Sequence, residues 1–385
     1  MFKIIKKSKK SRARLTRLGT AHGRISGPFF MTIATRGAVK NLSVDELKET
    51  GAEIILSNTY HLLLEPGMKI MEKAGGLHNF MNWQGPILTD SGGYQVFSLS
   101  KHRQISKQGV SFHDPKNGRK YFLTPEAVIK IQKSIGSDIM MVLDECPPYP
   151  STKNYAKDSL ELTLQWARRC KMAFTKLKMT GSRRQGAKNR KQLLFGIVQG
   201  GTHEVLRIYS AKETVKIGFD GYAIGGVAVG EPQAYRKQVL HWVIPNLPEN
   251  KPRYLMGVGR PDEIVEAVKN GIDMFDCVIP TREARHGRLY LWKNPKSQIL
   301  NSKQIPNSKF KTTNFYKTVN IFNAKFKKDM SPVNDTNLKQ YSKAYLHHLF
   351  RTNEPLGMRL ATLNNVGFYL QLMRQIRQGI MFGDI

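Results

Sequence analysis

Three aspartates and one glutamine stand where short apolar runs of this 385-residue chain give out: Asp90, Asp144, Asp276 and Gln199. The strand-end segments read Asp90-Ser91-Gly92-Gly93, Asp144-Glu145-Cys146, Gln199-Gly200-Gly201, Gly225-Gly226, Gly257-Val258-Gly259 and Asp276-Cys277. An aspartate after a strand is most often a helix N-cap, and a glycine there is turn chemistry. Asp276 resists that reading, because it lies inside the apolar run Met274 to Pro280, where a carboxylate is costly unless it is paired or put to use. Two carboxylates facing each other across a pocket suit displacement at a sugar anomeric carbon. One attacks and holds a covalent glycosyl intermediate, and the other carries the proton; in the retaining geometry they sit roughly 5 Å apart. A third carboxylate, with an amide and backbone N–H groups, can read the hydrogen-bonding edge of a purine. Glycines let such a base approach the backbone closely. Glycosyl chemistry on a nucleotide is one destination for this set; a sugar hydrolase or a phosphate-binding barrel is another.

The elements that must position these residues are eight short apolar or β-branched runs. They are Phe29 to Thr35, Glu53 to Thr59, Pro86 to Asp90, Asp138 to Asp144, Leu194 to Gln199, Gly221 to Gly226, Arg253 to Val258 and Met274 to Ile279. Near-continuous apolar character, as in Asp138-Ile-Met-Met-Val-Leu-Asp144, marks strands buried on both faces of a parallel sheet. Helix signals lie between them: a capping box of Ser43 and Glu46 with Gly51 as stop, and prolines at the first helical position in Thr124-Pro125 and Arg260-Pro261. Eight β/α units are the count of a (β/α)8 TIM barrel, with a doubly wound open sheet as the alternative. In a barrel the strand ends listed above converge on one mouth, where catalytic groups belong.

Composition narrows the partners. Sixty-one Lys+Arg against 29 Asp+Glu give a formal net charge of +32, an excess that opposes compaction unless a polyanion is the usual partner. The basic residues concentrate in Met1 to Leu18, Lys176 to Lys191 and Asn294 to Lys317, which are free of acids and read as solvated loops or extensions. No run approaches the roughly 18 apolar residues of a membrane span, and no apolar segment follows the basic N-terminus as in a secretory signal. Cys146, Cys170 and Cys277 lack CxxC spacing, so neither a disulfide framework nor a thiolate metal cluster is expected, and a cytoplasmic setting fits.

The chain resembles the bacterial tRNA-guanine transglycosylases (queuine tRNA-ribosyltransferases). The resemblance rests on Asn58-Thr-Tyr-His61, Thr89-Asp-Ser-Gly-Gly-Tyr-Gln-Val-Phe97, Met141-Val-Leu-Asp-Glu-Cys146, Phe195-Gly-Ile-Val-Gln-Gly-Gly201, Tyr222-Ala-Ile-Gly-Gly-Val-Ala-Val-Gly-Glu231, Tyr254-Leu-Met-Gly-Val-Gly259 and Phe275-Asp-Cys-Val-Ile-Pro-Thr-Arg282. It implies a (β/α)8 barrel that exchanges guanine at the wobble position of tRNAs with GUN anticodons (those for Asp, Asn, His and Tyr) for 7-aminomethyl-7-deazaguanine, preQ1. Under it, Asp276 is the nucleophile and Asp90 the general acid/base. Asp144, Gln199 and Gly226 bind the purine, Ser91, Gly92, Gly93 and Tyr94 complete the pocket, and Tyr94 and Met256 stack on the base. Gly257-Val258-Gly259-Arg260-Pro261-Asp262-Glu263 and Thr281-Arg282-Glu283-Ala284-Arg285 contact the tRNA. Val229, where eukaryotic members that take queuine carry glycine, narrows the pocket, and the carbonyls of Gly226 and Val227 face the aminomethyl group. Family members commonly form homodimers, so a second copy belongs among the expected partners.

The chain departs from the family by two basic insertions, near Lys176 to Lys191 and within Asn294 to Lys317, and at the structural zinc that members hold on a CxCxxC segment and a later histidine. Those positions fall here on Val333, Asp335, Leu338 and Asn364, so no zinc and no other cofactor is expected. His347 and His348 read as fold or surface residues. The expected organisation is a basic extension over 1–18, a barrel over 19–293 and 345–385, and a basic insertion with the remnant of the zinc lobe over 294–344. The rival reading is a non-catalytic tRNA-binding homologue, which has no need to keep Asp90, Asp144, Gln199 and Asp276 together.

Overall fold

The structure, a computed structural model, describes residues 1–99, 103–181, 192–293 and 314–385. The two expected basic insertions therefore lie largely outside the described residues, with 176–181 and 314–317 their described parts. Three antiparallel strands, β1 (Phe2–Lys7), β2 (Arg14–Thr20) and β3 (Gly23–Gly27), come first. The barrel strands β4 (Phe29–Ile33), β5 (Ile55–Asn58) and β6 (Ile87–Asp90) follow. A small antiparallel sheet of β7 (Gln104–Ile105), β8 (Val110–His113) and β9 (Lys120–Leu123) interrupts them. The ring is completed by β10 (Ile139–Met141), β11 (Leu193–Val198), β12 (Gly221–Ile224), β13 (Arg253–Leu255) and β14 (Met274–Asp276). Parallel pairing runs in chain order, and β14 closes on β4 through Met274↔Phe29, Phe275↔Phe30 and Asp276↔Met31. The eight expected strands are thus a closed parallel barrel, and the open sheet is excluded.

The helix signals hold. Ser43 Oγ accepts from the Glu46 N–H while the Glu46 carboxylate accepts from the Ser43 N–H, and Gly51 ends the helix Val44–Thr50 at φ 82°. Thr124 caps the helix Pro125–Ile135, and Arg260 precedes Pro261–Lys269. No helix among the described residues is long and apolar enough to cross a membrane.

The reading of Met1 to Leu18 as a solvated extension is corrected. Its residues form β1 and most of β2, which lie with β3 across the N-terminal end of the barrel. Ala13, Leu15, Leu18 and Ile25 join the main apolar core. Arg14 is buried and grips Asp273, the residue before β14, with Nε to Oδ1 at 3.0 Å and Nη2 to Oδ2 at 2.6 Å. The physical reason is strand alternation: in β1 Phe2 and Ile4 turn inward while the lysines between and after them stay exposed, so a count of charges hides a one-sided strand.

A second apolar cluster forms the C-terminal lobe around the hairpin β15 (Arg288–Trp292) and β16 (Tyr316–Asn320) and the helix Lys343–Arg351. Its core draws on Ala284, Leu289 and Leu291 before the expected bounds of the lobe, and on Leu346, Leu349 and Leu360 after them. His347 is buried with Nδ1 2.7 Å from the Ile321 carbonyl, and His348 is exposed. The last helix, Pro355–Phe382, packs against both the lobe and the barrel.

Candidate active site

Barrel geometry delivers Asp90 and Asp276 to the same mouth, at the C-terminal ends of β6 and β14. Asp90 lies level with Asn58 of the neighbouring strand. Its Oδ1 accepts from the Thr59 N–H at 3.0 Å and the Gly92 N–H at 3.1 Å, and its Oδ2 accepts from the Asn58 amide. Burial pushes its pKa up to about 6, against the lowering by Asn58, Thr59, Gly92 and Gln95. Such a group can give and take a proton near neutral pH.

Asp276 is held by two donors on one oxygen: Oδ1 accepts from the Tyr254 hydroxyl at 2.6 Å and the Gly257 N–H at 2.8 Å. Oδ2 keeps no hydrogen-bond partner among the described residues. Burial raises the carboxyl above its ordinary value, while the two donors favour the ionised form. Tyr254 is buried, and the field of both Asp276 and Asp90 adds to its burial in keeping it a phenol, so one hydroxyl senses both carboxylates. Cys146 and Cys277 are each pushed up to about 12, chiefly by burial, so they are protonated thiols near neutral pH.

The purine-binding candidates meet beside them. Gln199 Nε2 donates to Asp144 Oδ2 at 2.8 Å, Ser91 Oγ lies 3.5 Å from Asp144 Oδ1, and burial raises Asp144 to about 6. Gln199 is 1% exposed and its Oε1 has no partner among the described residues, which leaves a buried acceptor open to a donor. Glycine is required around it: Gly92 has φ +81°, a Cβ on Gly93 would lie 2.7 Å from the Asp144 carbonyl, and one on Gly226 2.5 Å from Gln199 Oε1. Tyr94, half exposed, stands at the rim on the helix Gly93–Leu99, Met256 is partly buried, and Val227 is buried in the core. The Gly226 carbonyl, expected to face an aminomethyl group, already accepts from Arg207 Nη2 at 3.1 Å.

The two expected tRNA segments divide by exposure. Gly257, Arg260 and Asp262 are exposed, whereas Val258, Gly259, Pro261 and Glu263 are buried and Glu263 pairs with Arg236 at 2.7 Å. In the second segment Arg282 is exposed, Glu283 and Arg285 are partly so, and Thr281 and Ala284 are buried. Sequence reasoning assigned no role to Asn58, Tyr254 or Arg207. Asn58 closes a strand next to Asp90, which was a usable signal; Tyr254 and Arg207 carry none, because their partners are remote in sequence or are backbone carbonyls.

Two places bear on metal binding. At the family's zinc positions Val333 and Leu338 are 1% and 2% exposed within the lobe's apolar cluster. Asn364 donates to the Tyr290 carbonyl and accepts from Asn334, both at 3.0 Å, so these residues do not fit a four-ligand zinc site. At the far end of the barrel, donor atoms of His22, His78 and Asp138 lie within 4.8 Å of one another. There Asp138 is already taken up by His22 N and Nδ1 and by Ile87 N, which makes the trio a hydrogen-bonded latch for the β2–β3 turn.

A closed parallel barrel whose mouth gathers buried Asp90 and Asp276 beside Asp144 and Gln199 fits a transferase of the glycosyl class. The family profile described as "Queuine tRNA-ribosyltransferase" matches residues 8–385. A protein of that name from Vibrio atlanticus (strain LGP32) is 48% identical over 97% of this chain and 91% of its own. Another, from Tolumonas auensis, is 47% identical over 98% and 94%, respectively. The chain belongs to the queuine tRNA-ribosyltransferase family of tRNA-guanine transglycosylases.

Proposed function

We propose that this protein exchanges guanine at the wobble position of GUN-anticodon tRNAs for preQ1 by double displacement. Asp276 Oδ2 attacks C1′ of the ribose, the glycosidic C–N bond breaks, and guanine leaves with a proton from Asp90. PreQ1 then enters the vacated pocket, its ring N–H gives its proton to Asp90, and the nitrogen displaces Asp276 from C1′. The observation that carries this reading is the asymmetric clamp on Asp276: Tyr254 and Gly257 hold Oδ1 and leave Oδ2 to react. Asp144 and Gln199 supply acceptors and a donor for the base, and Tyr94 and Met256 supply apolar surface for stacking. Val229, in place of a glycine, favours the small aminomethyl base over queuine. With the Gly226 carbonyl held by Arg207, that of Val227 is the acceptor for the aminomethyl group. Arg260, Arg282 and Arg285 are cations placed near the mouth for the anticodon phosphates.

The lobe works without zinc in this reading, since Val333 and Leu338 pack where thiolates would stand. The activity belongs in the cytoplasm, where tRNA is processed. The test is incorporation of labelled preQ1 into an unmodified GUN-anticodon tRNA, run in parallel with a strong chelator. Incorporation that survives chelation supports both the activity and its independence from zinc. Tight tRNA binding without incorporation would favour the binding-homologue reading instead.

A further inference from the structure

Arg207, on the helix Glu204–Ile217, is 0% exposed, and its guanidinium is surrounded by carbonyls rather than carboxylates. Nε donates to the Gly201 carbonyl at 2.7 Å, Nη1 to those of Val198 at 2.9 Å and Gly225 at 2.8 Å, and Nη2 to that of Gly226 at 3.1 Å. No ion pair is formed by Arg207 among the described residues. Burial lowers its pKa to about 10, which leaves it charged at neutral pH. A buried cation without a paired anion is an expensive way to fasten two loops. Its partners flank Gln199 on one strand end and include Gly226 on the next, so the cation sits directly behind the base-reading groups.

Peptide geometry gives the consequence. In a trans peptide the C=O and the following N–H point in opposite directions. With the carbonyls of Gly225 and Gly226 drawn to Arg207, the N–H groups of Gly226 and Val227 point away from it, and neither has an acceptor among the described residues. A guanine-type base offers N1–H and the 2-amino group to a carboxylate such as Asp144, and its 6-oxo oxygen needs donors. When the bond to C1′ breaks, negative charge builds on the ring and its 6-oxo group. Fixed N–H dipoles backed by a permanent cation are suited to receive it.

We propose that Arg207 is a positioning residue that aims and polarises the Gly226 and Val227 amides at the 6-oxo group of the bound base. This rests on the base-exchange reading above. The test compares binding of guanine with that of 6-thioguanine, which keeps N1–H and the 2-amino group but carries a poor acceptor in place of the oxygen. Arg207→Lys retains a charge yet cannot span four carbonyls. It should weaken guanine about tenfold and 6-thioguanine less than about twofold, with tRNA affinity unchanged. In Arg207→Ala, millimolar guanidinium should restore the preference for guanine, an effect opposite to what a merely weakened fold would show. Equal loss for both bases, or no loss for either, overturns the role. Wild-type protein that binds tRNA but neither base would overturn the exchange reading on which it rests, and is told apart by needing no variant.

Discussion

At the N-terminal end of the barrel Asp138 and Asp273 stand just ahead of β10 and β14 and face histidine or arginine; at the C-terminal end Asp144 and Asp276 close or follow strands and receive neutral donors alone among the described residues. Although burial opposes it, His78, the Ile87 N–H and His22 hold Asp138 below the ordinary carboxylate range. Asp273 receives both arms of Arg14 and the Arg253 N–H. Burial raises Asp273 even so, and it raises Asp90 and Asp144 to about 6. One residue type therefore does opposite work on one scaffold. Where an arginine or histidine faces the carboxylate it ties elements together, and where neutral donors alone reach it burial raises its pKa.

The largest effect that could break this contrast is on chemistry. Asp276→Asn should remove the covalent tRNA adduct from denaturing gels and slow exchange on the order of 10⁴-fold or more; an adduct at wild-type level would deny Asp276 its role. Asp90→Ala should lower the exchange rate by about 10² to 10⁴, measured with labelled base under saturating tRNA, and a rate near wild type would remove it as proton carrier.

At the other end the expected loss is of stability. Arg14→Ala strands Asp273 in the core and should cost about 3–5 kcal/mol in urea unfolding, while guanine affinity of the folded fraction stays put. The smallest effect has the opposite sign. Asp144 titrates at about 6 when folded against an ordinary 3.8, so the folded state binds the proton more tightly. Stability then falls as pH rises between those values, a penalty of roughly 3 kcal/mol at neutral pH. Asp144→Asn should therefore stabilise the protein at pH 7, give no gain below pH 3.8, and weaken base binding. Asp138→Asn should destabilise at pH 7, with the loss shrinking as pH falls through the depressed folded pKa. Equal signs for the two variants would end the comparison.

Much of this architecture was legible. Barrel strands are buried on both faces, so each left a largely apolar run, and every expected run falls on a barrel strand, β11 starting one residue before its run at Leu193. The runs overshoot at their C-terminal ends: Asp138 to Asp144 was expected and Ile139–Met141 is observed. Val142 and Leu143 are buried beyond the strand's end, where the Val142 N–H still donates to the Phe195 carbonyl at 3.1 Å, and apolar character reports burial more faithfully than the strand's limits. The carboxylates and Gln199 were legible because a polar residue at the end of such a run must face somewhere. Tyr254 was hidden because it reads as an ordinary apolar strand position, and Arg207 because a helix arginine reads as solvated. The sheet β1–β3 was hidden by its lysines, whose alternation matters more than their number.

Asp276 lies on β14, the strand whose pairing with β4 closes the ring. During synthesis the proton carrier and the base-reading residues emerge first, and the attacking group joins them when the ladder between Met274 and Phe29 forms. A nascent chain that stops short of β14 can gather part of the pocket but has no means of breaking a glycosidic bond. In the proposed mechanism the pairing that closes the ring also delivers the attacking group, so ring closure and assembly of the reactive pair are one event.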